Sequence, residues 1–318
     1  MSSGRPLKPF DLSEIRTFSA RERGGRFDPN RLARVPDVRK SLDEFFTTLP
    51  KSGKTGELHD LAEHIIVAGS NRKQIIFLID EHTVEGGLAP LLIELMRRDL
   101  LTHIVMNSRC AVMDFETAFF GHLPETERQD LREGMRGMAR ETGEWMNTVI
   151  NDGSRRGFGI VHSLGRGILD RRAAYDEYSI LAHASALRVP VTVAVSVGAD
   201  VIQQSAHTDG SWLGKAAYKD FQTLTGYITN LNQGGVVLDI SRSSNLSEVF
   251  LNSLNMARNL GNEISNFVTA RAGESATVPE TQAPLAKAVW DGGRYFDFNL
   301  PLEFFMPLLY AATIRLLA

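Results

Sequence analysis

A histidine surrounded by carboxylates is the feature of the sequence with the clearest chemical potential. Residues 80–85 are Asp-Glu-His-Thr-Val-Glu, and Gly86 and Gly87 follow them directly. An imidazole beside carboxylates suits a proton relay or the binding of a cationic substrate. A solvated acidic turn on the surface is an equally good interpretation of the same residues. The two glycines would let a phosphate approach backbone N–H groups, but their spacing is not that of the G-x-G-x-x-G fingerprint.

A second candidate is the short segment after the apolar run 102–106. It consists of Asn107, Ser108, Arg109 and Cys110. In an α/β protein the turn after such a strand holds a cofactor phosphate or ribose, and it favours glycine. An arginine there adds bulk and a positive charge where the backbone would approach the cofactor. We therefore expect Arg109 either to fill the phosphate or ribose site or to bind a different anion in a bidentate manner.

Polar residues also follow the apolar run 191–197. Asp200, in the segment Gly198-Ala-Asp200, is placed to accept hydrogen bonds from ribose hydroxyls or to pair with an amine. His207 and Asp209 lie further along the same segment. Together with nearby serines they suggest a hydrolase, but no serine lies in a G-x-S-x-G nucleophile elbow, and we do not expect one.

Apolar runs alternate with helical segments along most of the chain. The runs predict strands over 74–80, 102–106, 191–197, 235–240 and 264–270. Helices are predicted over 56–68, 88–99, 112–120, 125–150, 175–188, 213–232, from 245 onwards, and over 301–317. This alternation predicts a doubly wound, mostly parallel, Rossmann-like α/β fold. Ligands should bind at the carboxyl ends of its strands, in the loops 80–87, 107–114, 198–211 and 241–247.

Two segments fall outside this pattern. Residues 1–55 begin with a stretch rich in arginine and proline and predict an N-terminal helical arm, which leaves 56–318 as the α/β domain. Residues 153–169 hold five glycines. Because glycine at this density weakens regular structure, the stretch predicts a long surface loop or a connection between subunits.

Composition narrows the class of protein. The chain has 318 residues, 43% of them hydrophobic, and a formal net charge of −3. With charges so nearly balanced, we expect no nucleic-acid partner. A single cysteine excludes a disulfide framework, and the histidines show no H-E-x-x-H spacing, so we expect no metal. The sequence has neither an apolar leader core nor about 18 consecutive apolar residues, which predicts a cytoplasmic protein without a membrane partner.

Several short motifs resemble those of one known family. They are GGLAPLLIELMRRDLLTHIVMNSRCAVMDFETAFFG (86–121), ARETGEWMN (139–147), VPVTVAVSVGAD (189–200), EVFLNSLNMARNLG (248–261) and GGRYFDFNLPLEFFMPLL (292–309). Their order resembles that of the deoxyhypusine synthase family, and is most similar to its bacterial deoxyhypusine-synthase-like branch. The resemblance implies an NAD-dependent enzyme that oxidises the secondary amine of spermidine and passes an aminobutyl group to an acceptor amine. It also implies a homotetramer with active sites between subunits.

The same resemblance implies departures from the family. Its first NAD loop falls on Asp80-Glu81-His82, where only the histidine matches the bacterial branch. Its glycine-rich second loop falls on 107–110, which lacks both glycines, and of the acidic residues that follow only Asp114 remains. The family's catalytic lysine should lie near 288–294, where there is none. Arg294 cannot replace it, because a guanidinium forms no Schiff base.

These residues predict a transferase that acts on amine or polyamine groups without the family's lysine, with NAD as the suspected cofactor. Catalysis is assigned to His82 and Asp200. Contacts with NAD are assigned to Glu81, His82, Gly86, Gly87, Asn107, Ser108, Arg109, Asp114, Gly198 and Asp200. Contacts with a small-molecule amine are assigned to Glu85, His207, Asp209, Trp290 and Asp291. The alternatives are a non-catalytic or repurposed oligomeric scaffold with a cofactor pocket blocked by Arg109, and a biosynthetic enzyme of different chemistry on the same fold.

Overall fold

The computed structural model describes residues 32–37, 39–121, 132–242, 244–274 and 283–317. The chain divides into two compact units, 1–52 and 53–318. In the described part of the first unit, helix α1 spans Leu42–Thr48, and the Ser41 hydroxyl caps it by accepting the Glu44 N–H at 3.2 Å. Much of the predicted arm lies outside the described residues, and that boundary stays a prediction.

The described part of the second unit contains one sheet of six parallel strands. They are β1 (Ile75–Ile79), β2 (His103–Asn107), β3 (Val191–Ala194), β4 (Val236–Asp239), β5 (Val268–Ala272) and β6 (Arg294–Phe298). Their order across the sheet is β3-β2-β1-β4-β5-β6. The predicted Rossmann-like α/β fold is confirmed. The sequence did not predict β6, because this edge strand is buried only at alternate positions and has no continuous apolar run.

Helices cover both faces of the sheet. They are α2 (Gly53–Ser70), α3 (Glu81–Glu85), α4 (Ala89–Arg97), α5 (Ser108–Phe120), α6 (Arg140–Arg155), α7 (Ile160–Asp170), α8 (Ile180–Leu187), α9 (Gly210–Ile228), α10 (Ser244–Asn259), α11 (Pro284–Ala288) and α12 (Leu302–Leu317). Helix α12 packs on α2 and α4, whereas α10 packs on α9 and α11. No helix among the described residues has the length and apolar character needed to cross a bilayer. The predicted helix over 125–150 falls partly on 122–131, outside the described residues.

The core is built on strand β1, which is buried at all five positions. Successive side chains of a strand point to opposite faces, so a strand covered on both faces needs a continuous apolar sequence. Ile76 and Leu78 belong to the cluster that contains Phe250 and Leu254 of α10. This packing fixes the register of the central strands and therefore the position of the residues at their carboxyl ends.

The glycine-rich stretch 153–169 is not a surface loop. It contains the end of α6, a short turn and most of α7. Its glycines let helices approach closely: a Cβ atom added to Gly165 would lie 2.5 Å from the backbone oxygen of Leu181 in α8. The glycine composition therefore reflects tight helix packing, which a prediction based on glycine density alone does not consider.

Replacing Gly165 with alanine should destabilise the protein by about 1–3 kcal/mol, the usual cost of overpacking. The obstructing atom belongs to the backbone and cannot move aside by a rotamer change. Gly214→Ala is the matched control, because Gly214 lies within α9 and has open space around its Cβ position. It should stabilise the helix by up to about 1 kcal/mol. Urea unfolding of both variants tests this, and equal effects would contradict the packing role of Gly165.

Candidate functional site

The order of the strands reverses between β1 and β4, and ligands of open α/β sheets bind at such a point beyond the carboxyl ends. Asp80 directly follows β1 and is 1% exposed. Its Oδ1 accepts the N–H of His82 at 3.1 Å, which caps α3, and its Oδ2 accepts the N–H of Arg242 at 2.6 Å. Asp80 thus ties the loop after β1 to the loop after β4.

His82 lies beside this buried carboxylate. Its Nδ1 is 3.2 Å from Asp80 Oδ1, and a third of the side chain is exposed. Nδ1 is enclosed and forms no hydrogen bond of acceptable geometry. Because Nδ1 is enclosed, the other ring nitrogen, Nε2, is the atom that could exchange a proton with a ligand.

The turn predicted after β2 does not exist, because α5 begins immediately at Ser108. Asn107 caps this helix by accepting the N–H of Cys110 at 2.8 Å. Burial raises the pKa of the Cys110 thiol well above its ordinary value, so this side chain stays protonated and unreactive. Ser108 donates its hydroxyl to the backbone oxygen of Ala194 at 3.2 Å. A capped helix start explains why this segment has no glycine.

Glu81 connects the β1 and β2 segments. It accepts a hydrogen bond from Asn107 Nδ2 at 2.6 Å. Arg109 Nε lies 3.8 Å from the other carboxylate oxygen of Glu81. The sequence predicts that Arg109 fills the phosphate or ribose site or binds a different anion. In the structure its guanidinium lies next to a carboxylate on the neighbouring segment.

Arg109 also lines a cavity of about 420 Å³ beyond the carboxyl ends of β2 and β3. One wall is a face of α5, on which Arg109, Val112, Met113 and Glu116 recur at helical spacing. The rest is formed by residues 135–139, 142–143 and 199–202. The lining contains aliphatic and methionine side chains, two arginines and two carboxylates. The cavity therefore offers both an apolar surface and charged groups.

The two carboxylates of the cavity are Glu116 and Asp200, and burial raises the pKa of each. The Thr142 hydroxyl donates to Glu116 at 2.8 Å and partly offsets the effect of burial. Asp200 accepts hydrogen bonds from the Ser196 N–H and from Gln203, and the nearby charge of Glu81 adds to the rise of its pKa. Both carboxylates are thus desolvated and would gain from a cationic ligand.

Asp114 does not reach this cavity. It is 1% exposed and binds the start of α8, accepting hydrogen bonds from the Ser179 hydroxyl, the Ile180 N–H and the Leu181 N–H at 2.6, 2.7 and 3.0 Å. Burial raises its pKa to about 6 despite these bonds. These contacts use both carboxylate oxygens and indicate a structural role for Asp114. The sequence predicted a cofactor contact at this residue.

The glycines after α3 have a backbone role. Gly86 ends the helix by donating its N–H to the backbone oxygen of His82, and Gly87 has a φ of 68°, a conformation that favours glycine. Glu85 is exposed on this short helix. Gly198 is also exposed, with a φ of 87° that suits a tight turn before Asp200. None of these four residues lines the 420 Å³ cavity.

His207 and Asp209 lie just before α9. His207 is exposed, and its Nδ1 is 3.4 Å from the Ser205 hydroxyl. Asp209 caps α9 by accepting the N–H groups of Ser211 and Trp212. A substrate that bound Asp209 would compete with these N–H groups for its carboxylate. Neither His207 nor Asp209 lines the 420 Å³ cavity.

Trp290 and Asp291 are at the opposite edge of the sheet. They precede β6 and therefore lie at the amino ends of the strands. Both are exposed, and Asp291 is 3.8 Å from the guanidinium of Arg258. The structure thus separates them from the residues at the carboxyl ends. The segment 288–294, on which the resemblance placed the family's lysine, is at this same edge.

Two residues that the sequence analysis missed belong to the carboxyl edge. Glu116 lies two helical turns after Arg109, and that seven-residue spacing was a usable signal. Asp239 ends β4 and accepts the Ser241 N–H, the Ser241 hydroxyl and the Ser247 hydroxyl at 2.8, 2.6 and 2.6 Å. Burial raises its pKa. Asp239 holds the loop that follows β4 in place. This loop contains Arg242, whose N–H binds Asp80.

The turn after β1 does not fit the diphosphate of a dinucleotide. In this fold the diphosphate sits on N–H groups at the start of the helix that follows, where glycines allow close approach. Here the Asp80 carboxylate and backbone oxygen accept the N–H groups of His82 and Thr83, and Glu81 adds a second negative charge. A diphosphate in this position would face two carboxylates and lose its backbone donors.

Comparisons with known proteins identify the fold. No protein-family model matches the sequence, and no curated protein matches it. An LOR/SDH protein from Methanococcus maripaludis S2 is 12% identical with a TM-score of 0.52, over 84% of this chain and 72% of that one. AgrE, solved as a ternary complex with ornithine and NAD+, is 13% identical with a TM-score of 0.52, over 85% of this chain and 34% of AgrE.

A protein from Entamoeba histolytica that carries the name deoxyhypusine synthase also matches, at 9% identity and a TM-score of 0.52, over 88% of this chain and 96% of that one. This chain spans about a third of the length of AgrE. Likeness at these identities shows the fold alone. The fold is therefore related to that of LOR/SDH proteins, AgrE and deoxyhypusine synthases, which agrees with the resemblance at its coarsest level.

Proposed function

We propose that this protein is an enzyme that acts on amine or polyamine groups, with the amine held in the 420 Å³ cavity between Asp200 and Glu116. The observation that carries the proposal is the presence of two desolvated carboxylates on the wall of one cavity. Burying a carboxylate without a cation is unfavourable, and an ammonium group that forms charge-assisted hydrogen bonds offsets that cost.

The rest of the cavity suits the carbon chain of such a substrate. Val112, Met113 and Met138 contribute apolar surface, and methionine adapts readily to ligands of different length. Arg109 and Arg136 line the same cavity, and their positive charges disfavour a ligand that carries ammonium groups along its whole length. We therefore expect an amine with one apolar segment rather than a uniformly charged chain.

His82 is the proposed acid/base residue. When neutral, its Nε2 accepts a proton from the substrate ammonium and leaves a free amine, which is the nucleophilic form. The Asp80 carboxylate lies 3.2 Å from Nδ1 on the other side of the ring and balances the charge that the ring acquires. His82 does not line the cavity; its chain neighbour Glu81 lies 3.8 Å from Nε of Arg109, which does, and this contact is the proposed link between the histidine and the bound amine.

The fold relatives support an amine ligand. AgrE has been solved with ornithine and with L-arginine, and ArgZ, which is 15% identical with a TM-score of 0.54, is an arginine dihydrolase. Their ligands carry amino groups, as does the substrate of deoxyhypusine synthases. The proposed transferase class comes from that resemblance. Because the β1 turn does not fit a diphosphate, we derive no step that uses NAD.

A non-catalytic scaffold is the second candidate, and the occupied β1 turn favours it. This fold ordinarily binds a dinucleotide through backbone N–H groups that donate to its phosphates. Here Asp80 accepts such an N–H, so part of the dinucleotide-binding function is lost. The two candidates differ in ligand binding: a scaffold with a closed pocket binds neither NAD nor amines.

The experiment is a titration with 1,4-diaminobutane, ornithine, NAD and the uncharged control 1,4-butanediol, followed by thermal unfolding and calorimetry. We expect the amines to raise the unfolding temperature and the diol to leave it unchanged. At a hundredfold excess over Kd, binding adds about 2.7 kcal/mol to the free energy of unfolding. The amine proposal fails if neither amine binds at millimolar concentration, and NAD binding would show that the β1 turn rearranges.

A further inference from the structure

A second and larger cavity, of about 800 Å³, lies at the amino end of β3, at the opposite edge of the sheet from the candidate site. Its walls are the turn between α6 and α7, the first turns of α7, the end of α8 and part of α9. A concave space of this size is ordinary for a small-molecule ligand. The amine site uses none of its residues.

Four exposed basic side chains line this cavity. They are Arg156, Arg166, Arg188 and Lys219. Arg166 forms an ion pair with Asp170 at 2.9 Å. Among the described residues, no carboxylate lies within the 4.0 Å limit of an ion pair from the other three cations. Three converging charges without a protein counterion favour a ligand that carries at least two negative charges.

The remaining carboxylate of the wall is not directed at a ligand. Asp220 is 5% exposed and accepts the N–H of Ile160 at 3.2 Å, at the start of α7. It therefore occupies the donors of that helix terminus, and the terminus is not the anion site. The attraction for an anion comes from the exposed side chains.

An aromatic pair borders the same cavity. The rings of Phe158 and His162 lie 4.2 Å apart at 32° to each other, and both residues are exposed. Phe158 is 42% exposed, although it stands in a turn between two well-packed helices. Adjacent exposed rings beside cations are suited to stacking a planar base, because every base offers a π-face and stacking is worth about 1–3 kcal/mol per base in single-stranded complexes.

We propose that this cavity binds a nucleoside diphosphate or triphosphate, with its base stacked on Phe158 and His162 and its phosphates between Arg156, Arg188 and Lys219. A free nucleotide is favoured over nucleic acid because the basic residues line one concave space and the chain as a whole has a net charge of −3. The inference does not rest on the amine site.

The experiment compares ADP, inorganic pyrophosphate and adenosine by calorimetry on the full chain. ADP should bind more tightly than either fragment. The double substitution Arg156→Ala with Arg188→Ala should weaken ADP at least tenfold, whereas Phe158→Ala should weaken ADP but leave pyrophosphate unchanged. Lys215→Ala is the matched control for Lys219→Ala, because Lys215 is exposed one turn away on α9 and does not line the cavity. Binding of 1,4-diaminobutane should not change in any of these variants.

Three outcomes would overturn the proposal: no ADP binding at millimolar concentration, undiminished ADP binding by the double variant, or tighter binding of an RNA oligonucleotide than of ADP. A change of oligomeric state in the double variant without ADP binding would mean that the cavity is a subunit interface, and it too would contradict the proposal. Should the double variant not fold, hydrogen exchange of residues 156–166 in the native protein replaces it. ADP should slow exchange there, and unchanged exchange would count against the site.

Discussion

Asp114→Ala should destabilise the protein by about 3 kcal/mol or more, because it leaves three buried donors without an acceptor. The Ser179 hydroxyl and the N–H groups of Ile180 and Leu181 all bind this carboxylate. Asp114→Asn keeps one acceptor oxygen and should lose less stability. Chemical unfolding of both variants provides the measurement. Under conditions in which both variants are fully folded, their affinity for 1,4-diaminobutane should equal that of the wild type.

The same carboxylate gives a pH signature. Burial raises its pKa to about 6, from an ordinary value of 3.8. A carboxyl group with a raised pKa in the folded state contributes stability that is present below about pH 4 and is lost as pH rises through about 6. The difference in unfolding free energy between wild type and Asp114→Asn should therefore change over this window. A pH-independent difference, or a loss of ligand binding without a loss of stability, would favour the ligand role that the sequence suggested.

Asp200→Asn and Glu116→Gln should each weaken amine binding about tenfold to a hundredfold, since a hydrogen bond to a charged group contributes about 1.5–3 kcal/mol. Both substitutions keep the shape of the side chain and an acceptor oxygen for its neighbours. Because burial raises the pKa of each carboxyl group, the neutral amides should also make the ligand-free protein somewhat more stable. Weaker binding together with higher stability is the combination expected of residues kept for a ligand.

Glu85→Gln is the matched control for these variants. Glu85 is a carboxylate near the carboxyl edge of the sheet, but it is exposed and does not line the cavity. Its substitution should leave amine affinity within a factor of two, since exposed charges are screened by solvent. Equal losses in all three variants would mean that the overall negative charge, and not the cavity, attracts the amine.

The fold was predictable because continuous apolar runs alternate with helical segments along the chain. The continuous apolar residues of β1 and of the first three positions of β4 are buried on both faces, and a central parallel strand requires such a sequence. Edge strand β6 lacks this requirement and was missed. The stretch 153–169 was mistaken for a loop because glycine serves both flexible turns and close helix packing, and only the neighbouring helix distinguishes the two.

The site was less predictable, because the sequence shows residue types but not their partners. Asp80, Asn107 and Asp114 look alike as polar residues after apolar runs, yet the structure uses them to cap α3, α5 and α8. Capping satisfies backbone donors in the same way as a ligand would, so its sequence pattern resembles that of a binding loop. Glu116 was not predicted because it lies inside a helix, just beyond the predicted loop 107–114.

The most direct test of the amine site is the number of protons released when 1,4-diaminobutane binds. Because burial raises the pKa of Asp200 and Glu116, these carboxyl groups bind protons more readily as the pH falls than exposed ones do, and a bound ammonium group should expel such protons. Calorimetry at pH 5 and pH 8, each in two buffers of different ionisation enthalpy, should find more proton release and weaker binding at the lower pH. Binding heats and affinities that depend on neither buffer nor pH would contradict the account, because the amine would then not contact the desolvated carboxylates.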